Sequence, residues 1–216
     1  MTVDAKICGV SDRAAIEAAV AGGARYVGFV FFPRSPRNVT PAQAAELSAL
    51  LPEHVVPVAL AVDPDDALVA EIDAVAGISM FQLHGGETPE RVAAIKAATG
   101  KSVMKAIKVS EAADLTAAAP YTDVADMLLF DAKTPADMKN ALPGGNAVSF
   151  DWTILSGRDW PVPWMLSGGL DPENVVDAVR VSGAPAVDVS SGVESAPGVK
   201  DPGRISAFLK AVDSVR

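Results

Sequence analysis

Short apolar runs recur along the chain and are separated by alanine-rich windows with helical periodicity. The runs are nearly continuous rather than strictly alternating, which favours parallel strands that are covered on both faces. Eight such runs in 216 residues (216/8) give one strand–helix unit about every 27 residues. The predicted strands are 5–9 (AKICG), 26–32 (YVGFVFF), 55–62 (VVPVALAV), 78–84 (ISMFQLH), 102–109 (SVMKAIKV), 126–132 (DMLLFDA), 164–169 (WMLSGG) and 186–192 (AVDVSSG).

Helix-start signals follow these runs with the same regularity. Six of these signals are a Thr or Asp followed by Pro. This pair favours the start of a helix, because the Thr or Asp side chain caps free N–H groups and proline at the first helical position loses no needed donor. Two more helices are predicted to begin at Ser11 and Ser110. Residues 133–163 are rich in Gly and Pro, and an alternative start for the sixth helix is near Asp151. The six Pro-containing starts are Thr40-Pro41, Asp63-Pro64, Thr88-Pro89, Thr134-Pro135, Asp171-Pro172 and Asp201-Pro202.

Eight strand–helix units predict an α/β fold, a single (β/α)8 TIM barrel over residues 1–216. The alternative is an open doubly wound sheet, which more typically has five or six strands. In the barrel, polar residues at the carboxyl ends of the strands become a candidate site on one face. Those residues are Cys8, Arg34, Arg37, Asp63, His84, Asp131, Gly168, Gly169, Asp188, Ser190 and Ser191.

Composition narrows the classes of function. Hydrophobic residues make up 50% of the chain, and 18 Lys and Arg against 27 Asp and Glu give a net charge of −9. This charge disfavours nucleic acid and anionic membranes as partners, since both are polyanions. A single cysteine and two histidines argue against a disulfide framework and a metal site. The N-terminus lacks a secretory signal pattern, and the longest apolar stretch is too short to span a bilayer, so a cytoplasmic location is expected.

Two Gly/Ser clusters indicate a phosphate site. The sequence SGG at 167–169 ends the seventh predicted strand and SSG at 190–192 ends the eighth. Small residues there let backbone N–H groups of Gly168, Gly169, Ser190, Ser191 and Gly192 approach an anion closely, and a phosphate between the last two loops recurs in this fold. The alternative is that these glycines only make tight turns.

Cys8 and Asp131 are candidates for acid–base chemistry. Cys8 ends the first predicted strand on the expected catalytic face, where a thiol becomes a base near neutral pH if a cation or dipole favours the thiolate. Asp131 ends the sixth strand after an apolar run, where a raised pKa suits proton donation. The alternatives are a small buried thiol and a carboxylate that caps the next loop.

Arginine and histidine supply further candidates. Arg34 and Arg37 lie in the proline-rich loop FFPRSPRNVT, where a fixed guanidinium could bind a carboxylate or a phosphate, or could be a solvated surface charge. His84 is a candidate substrate contact or a structural histidine with satisfied hydrogen bonds. His54, at the start of the third strand on the opposite face, is expected to be structural.

Seven segments follow one another in a specific order along essentially the whole chain. They are 6–10 (KICGV), 26–40 (YVGFVFFPRSPRNVT), 81–88 (FQLHGGET), 128–132 (LLFDA), 150–155 (FDWTIL), 166–175 (LSGGLDPENV) and 187–201 (VDVSSGVESAPGVKD). The motifs KICG, FFPRSPR, QLHG and VDVSSGVE followed by PG and KD are specific in combination. Together the segments resemble one enzyme family, the phosphoribosylanthranilate isomerases of tryptophan biosynthesis.

The resemblance implies an Amadori rearrangement of N-(5-phosphoribosyl)anthranilate, without a cofactor or a metal. It assigns Cys8 as general base, Asp131 as general acid and Arg37 as partner of the anthranilate carboxylate. It also places the phosphate on backbone groups of Gly168, Gly169 and Ser190–Gly192, with Asp188 near the sugar. The partner is therefore this small phosphorylated substrate, and the oligomeric state is either monomer or homodimer.

One segment departs from the family pattern. Residues 142–149 read LPGGNAVS, where members commonly carry a GGTG-like stretch. Two alternative functions are another phosphate-binding barrel isomerase or epimerase and a noncatalytic barrel that binds a phosphorylated metabolite. The presence of both Cys8 and Asp131 argues against each of them.

Overall fold

Eight parallel strands pair in chain order and close into a barrel, with β8 against β1. The computed structural model describes residues 2–135 and 142–215. The closed barrel confirms the predicted TIM barrel and excludes the open doubly wound sheet. The strands are β1 Asp4–Cys8, β2 Tyr26–Phe31, β3 Val56–Ala61, β4 Met80–Leu83, β5 Ser102–Val109, β6 Met127–Ala132, β7 Trp164–Leu166 and β8 Ala186–Val189.

Helices connect most of these strands. Three of the Thr/Asp–Pro signals begin helices as predicted, since Thr40, Thr88 and Asp201 each cap a helix whose first turn contains proline. Thr40 and Gln43 form a reciprocal capping box. The α-helices are α1 Arg13–Ala21, α2 Pro41–Ser48, α3 Asp66–Asp73, α4 Pro89–Thr99, α5 Val175–Ser182 and α6 Pro202–Asp213.

Three predicted helix starts are wrong by one to three residues. Helix α1 is capped by Asp12 rather than Ser11, and α3 by Asp65 rather than Asp63. Asp63 has φ 47° and accepts a hydrogen bond from the Gly86 N–H, so it lacks the extended backbone of an N-cap. Helix α5 follows Asn174, because Asp171 accepts bonds from the next N–H groups in a local turn.

The fifth and sixth units differ from regular α-helices. After Ser110 a 3-10 helix spans Ala112–Tyr121, and Pro120 within it cannot supply an α-helical N–H. In the sixth unit, Asp151 caps a 3-10 turn at Trp152–Leu155, which supports the alternative start. The predicted helix after Thr134-Pro135 continues into residues 136–141, outside the described residues.

The core has two apolar layers, because strand side chains alternate between the two faces of the barrel wall. Outward residues such as Ile7 and Phe81 pack against the helices, while Val58, Met104 and Met165 fill the barrel interior. The inward positions nearest the carboxyl ends are polar instead, and they form the floor of the site. Within the described ranges, no helix is long and apolar enough to cross a membrane.

A short antiparallel ribbon follows β8. It consists of β9 Glu194–Ala196 and β10 Val199–Lys200, which immediately precede α6. The ribbon carries Glu194 and Lys200, both buried, back beneath the loop that follows β8. It therefore supports one of the two predicted phosphate loops.

Candidate active site

A pocket opens at the carboxyl ends of the barrel strands and brings together nine of the twelve candidate residues named from the sequence; Arg34, Asp63 and Gly192 are not in its lining. Its lining also includes the loop 142–148. Gly192 lies one residue beyond the lining, on the loop that follows β8. The nine lining residues are Cys8, Arg37, His84, Asp131, Gly168, Gly169, Asp188, Ser190 and Ser191.

Asp131 is buried and ionised at the centre of the site. Its Oδ2 lies 2.6 Å from Lys108 Nζ and 3.0 Å from His84 Nε2, and its Oδ1 accepts from the Ala132 N–H. Burial alone would raise the pKa of Asp131, but His84 and Lys108 outweigh it and lower the pKa to about 2. The predicted raised pKa is therefore wrong for the free protein, because the sequence did not show which cation faces this carboxylate.

His84 is neutral in this environment. Burial and the adjacent Lys108 charge lower its pKa more than Asp131 raises it. The Gln82 amide nitrogen lies 2.9 Å from His84 Nδ1. The other ring nitrogen, Nε2, lies 3.0 Å from Asp131 Oδ2 and 2.8 Å from Lys108 Nζ, so both ring nitrogens have polar partners. His84 thus has the satisfied hydrogen bonds of a structural histidine and also lines the pocket.

Cys8 and Lys6 face the opposite side of the site. Both point inward from β1, and a Cβ at Gly28 would come within 2.9 Å of Cys8 Sγ and 3.0 Å of Lys6 Nζ, so the glycine leaves room for both groups. Burial and Asp188 raise the pKa of the Cys8 thiol, and the Lys6 ammonium only partly opposes them. Lys6 is thus a cation that favours the thiolate, but burial and Asp188 outweigh its charge and Cys8 stays a weak acid in the free protein.

Asp188 is held by its neighbours. Its Oδ1 accepts from Lys6 Nζ at 2.8 Å and its Oδ2 from Ser167 Oγ at 3.0 Å. The Asp188 charge raises the pKa of Lys6 and offsets the effect of burial, which alone would lower it. Asp188 therefore lies in the pocket as a paired carboxylate.

The two Gly/Ser loops have backbones that only glycine allows. Gly168 has φ 94° and Gly169 has φ 64°, and a Cβ at Gly168 would lie 2.7 Å from the Ala132 nitrogen. A Cβ at Gly192 would lie 1.9 Å from the Leu170 oxygen, which shows how closely the two loops approach. Ser190 Oγ donates to the Cys8 carbonyl, which ties the second loop to β1. The glycines therefore allow these loops to pack closely against β6, against the segment 148–149 and against each other.

Arg37 reaches the pocket from the loop after β2 and is fixed by an internal partner. Its Nε and Nη2 donate to Glu194 at 2.7 Å and 2.9 Å, and Lys200 Nζ lies 2.7 Å from the same carboxylate. Burial alone would raise the pKa of Glu194, but Arg37 and Lys200 lower it. Burial lowers the pKa of Lys200 more than Glu194 raises it. Nη2 also donates to the Gly145 carbonyl at 3.3 Å, and within the described part of the chain Nη1 has no hydrogen-bond partner.

Other predicted candidates lie elsewhere. Arg34 and His54 are exposed, and Asp63 binds the backbone of the loop after β4. The His54 carbonyl accepts a bond from Arg25, and His54 does not line the pocket. In residues 2–135 and 142–215, no cluster of three or more His, Cys, Asp and Glu is arranged to hold a metal ion.

Sequence reasoning missed the buried cations and their partners. The spacing along the strand could have indicated two of these residues, Lys6 and Gln82. Lys6 lies two residues before Cys8 and Gln82 two before His84, so each pair shares one face of its strand. The sequence contains no comparable signal for which residues on different strands and loops contact each other. The missed residues around the site are Lys6, Gln82, Lys108, Ser167, Glu194 and Lys200.

Comparison with known proteins gives the family. The family model for N-(5'-phosphoribosyl)anthranilate (PRA) isomerase matches residues 5–211. The chain belongs to the PRA isomerase family. Among its relatives, a PRA isomerase from Paramagnetospirillum magneticum is 60% identical over 98% of this chain and 97% of that protein. A PRA isomerase from Paracoccus denitrificans is 57% identical over 97% of this chain and 96% of its own length.

Solved PRA isomerases have the same fold. The crystal structure of the Thermotoga maritima enzyme matches with a TM-score of 0.86 and 36% identity, over 99% of this chain and 100% of that one. A second, described as a complex with reduced 1-(o-carboxyphenylamino)-1-deoxyribulose 5-phosphate, has a TM-score of 0.84 and 34% identity with the same coverage. A third is described as monomers generated from the dimeric Thermotoga maritima enzyme, with a TM-score of 0.82, 35% identity and the same coverage.

Proposed function

We propose that this protein converts PRA into 1-(2-carboxyphenylamino)-1-deoxyribulose 5-phosphate by an Amadori rearrangement, a step of L-tryptophan biosynthesis. The observation that carries the proposal is one pocket, in a chain of this family, that brings a thiol, a carboxyl group and two Gly/Ser loops together. Structural support for the ligand class comes from the neighbour described as a complex with the reduced product.

The substrate is held at both ends. Backbone N–H groups at Gly168, Gly169 and Ser190–Gly192 bind the phosphate, because Gly168, Gly169, Ser190 and Ser191 line the pocket and Gly192 follows them directly. The Arg37 guanidinium, which lines the pocket, binds the anthranilate carboxylate. Holding both ends orients the ribose between Cys8 and Asp131. This local chemistry explains how a chain of net charge −9 binds a ligand with two anionic groups.

Asp131 and Cys8 move the protons. Asp131 in its protonated form donates to the furanose ring oxygen, the bond from that oxygen to C1 breaks, and the nitrogen lone pair forms an iminium at C1. The Cys8 thiolate then removes the proton from C2, and the C2–H electrons form the enolamine. Loss of the O2 proton and gain of one proton at C1 give the aminoketone. No atom or electron is gained overall, as an isomerisation requires.

In the free protein, Asp131 and Cys8 have the opposite protonation states to those that the reaction needs. Asp131 is mainly ionised because its pKa is about 2, and Cys8 is mainly protonated because its pKa is raised. The reactive form therefore has the same number of protons as the dominant form, with one proton placed on Asp131 instead of Cys8. The anionic substrate raises the pKa of Asp131, and the iminium charge favours the thiolate, so binding and ring opening populate this form.

Turnover of freshly generated PRA tests the proposal. We expect conversion by the wild type and a loss of about 10²–10⁴ in kcat in Cys8→Ser and in Asp131→Asn. Asp126→Asn is the matched control, because Asp126 precedes the same strand β6 at its opposite end and binds Lys96 and the Val103 N–H. Absence of conversion by folded wild-type protein would contradict the proposal. Substrate binding without conversion would indicate a noncatalytic barrel.

Several properties stay predictions beside this function. They are the assignment of residues 1–216 to one domain, the cytoplasmic location, and the choice between monomer and homodimer. A mass measurement in solution decides the last of these.

A further inference from the structure

Lys108 has no part in the chemistry proposed above, yet its ammonium contacts two groups of the site. Its Nζ lies 2.6 Å from Asp131 Oδ2 and 2.8 Å from His84 Nε2. Asp131 and His84 line the pocket, whereas Lys108 is not among the lining residues. Its side chain is 29% exposed, so the ammonium reaches these two groups from outside the lining of the pocket.

The barrel wall brings these three groups together. Lys108 and Asp131 are register partners on the adjacent strands β5 and β6. His84 follows β4, the neighbour of β5 on its other side. Side chains at the same level on neighbouring strands point in the same direction. The cation between the carboxylate and the imidazole therefore follows from strand register, not from a mobile surface contact.

Lys108 also binds the loop 142–149, which packs over Asp131 and His84. Its Nζ donates to the Pro143 carbonyl. The next residue packs on the site itself, since a Cβ at Gly144 would lie 2.8 Å from His84 Nε2 and 3.3 Å from Asp131 Oδ2. Pro143 and Gly144 belong to 142–149, the segment in which this chain departs from the family pattern. One ammonium thus joins the proposed acid, its histidine partner and the unusual loop.

We propose that Lys108 is a positioning residue of this active site, which fixes the Asp131 carboxylate and the His84 ring and anchors residues 142–149 over them. The proposal rests on the proposed role of Asp131 as general acid. Lys108 acts through its neighbours rather than by touching the substrate. Its loss is expected to change kcat more than KM, because the phosphate loops are on other strands.

The positive charge of Lys108 predicts in which direction the pKa values of Asp131 and His84 change when it is removed. The groups that act on Asp131 are His84 from β4 and Lys108 from β5, and Asp188 from β8 also acts on His84. A cation lowers the pKa of a carboxyl group and of an imidazole alike. Replacement of Lys108 by a neutral residue is therefore expected to raise the pKa of both Asp131 and His84.

Histidine NMR measures this effect without turnover. The chain has two histidines, and the exposed His54 provides an internal reference for His84. We expect Lys108→Met to move the His84 titration to higher pH, and Lys108→Arg, which keeps a cation, to leave it close to the wild type. Lys133→Met is the matched control, because Lys133 is close in the chain to Asp131 but pairs with Asp114 at 3.1 Å.

Kinetics with PRA provide the second readout. Lys108→Met is expected to lower kcat about tenfold, because loss of the fixed Asp131 position outweighs its easier protonation, with a smaller change in KM. Lys108→Arg is expected to recover part of the loss. The acidic limb of kcat/KM, which reports Asp131 in the free enzyme, is expected to move to higher pH in Lys108→Met. If Lys108→Met does not fold, Lys108→Gln is the second neutral variant.

The outcomes separate this inference from the proposed function. A Lys108→Met protein with the His84 titration and kcat of Lys133→Met would overturn the positioning role. An equal His84 shift in Lys108→Arg and Lys108→Met would also overturn it, because charge would then not be the cause. Absence of PRA turnover by the wild type would contradict the proposed function instead, while the His84 titration still tests the contact.

Discussion

Lys6 and Asp188 are register partners on the adjacent strands β1 and β8, and their side chains form a 2.8 Å ion pair that is 0% and 5% exposed. The two residues are 182 positions apart in the chain, so the pair closes the barrel between its first and last strands. Lys6 also faces Cys8, and Asp188 also accepts from Ser167. One buried contact therefore connects barrel closure to the charge at the proposed base.

Removal of the Lys6 charge is expected to destabilise the fold. Lys6→Met leaves Asp188 buried without its cation, which costs about 3–5 kcal/mol of unfolding free energy. Urea unfolding measures the change. The double variant Lys6→Met/Asp188→Asn also removes the unpaired Asp188 charge and is expected to be more stable than Lys6→Met. Equal stability of the single and double variants would show that the buried charge is not the cause.

The accessibility of the single cysteine gives a second prediction. Because Cys8 is 3% exposed and its pKa is raised above 9.0, alkylation of the native protein at pH 7.5 is expected to be slow and to accelerate with pH. Lys6→Met removes the cation that favours the thiolate, so its reaction is expected to need still higher pH. Intact-mass spectrometry reads Cys8 alone, since the chain has one cysteine. Faster labelling of folded Lys6→Met would contradict this electrostatic account.

The lowered pKa of Asp131 predicts a pH dependence of stability. A carboxyl group whose pKa falls on folding stabilises the protein above its unfolded pKa and loses that contribution as pH falls through its folded pKa. From an ordinary value of 3.8 to about 2, at 1.36 kcal/mol per pH unit, the contribution is about 2 kcal/mol.

Comparison of the wild type with Asp131→Asn across pH measures this contribution. The pH-dependent part of their stability difference is expected to be complete at pH 6 and to disappear between about pH 4 and about pH 2. A difference that stays constant over this range would show that Asp131 is not stabilised in its ionised form.

Gly168 provides a test of the phosphate loop. Gly168→Ala introduces a Cβ at φ 94° and 2.7 Å from the Ala132 nitrogen, whereas Gly183→Ala at φ 73° meets no atom within 4 Å. Gly183→Ala is therefore expected to cost only the left-handed strain of about 1–2 kcal/mol. Gly168→Ala is expected to cost more and to weaken inorganic phosphate binding about tenfold or more in calorimetry. Unchanged phosphate affinity in folded Gly168→Ala would remove this loop from the phosphate site.

The strand–helix order could be predicted from the chain because its signals are local. Apolar runs mark the strands, and Thr40, Thr88 and Asp201 cap helices as their sequence pattern indicates. The starts at Asp63 and Asp171 could not be placed correctly, because a side chain that caps a helix can equally bond to a nearby loop. The strand ends also located Cys8, Asp131 and the two Gly/Ser loops, since parallel strands place their carboxyl ends on one face.

The sequence by itself determined the barrel, the face that carries the site and the types of residue on that face. Only the tertiary structure decided which charges meet: Lys6 with Asp188, Lys108 with Asp131, and Arg37 with Glu194. These partners are between 23 and 182 positions apart, and strand register and loop packing bring them together. The protonation of Asp131 and Cys8 follows from those contacts and from burial, because the pKa of a group depends on its solvation and on the charges nearest to it.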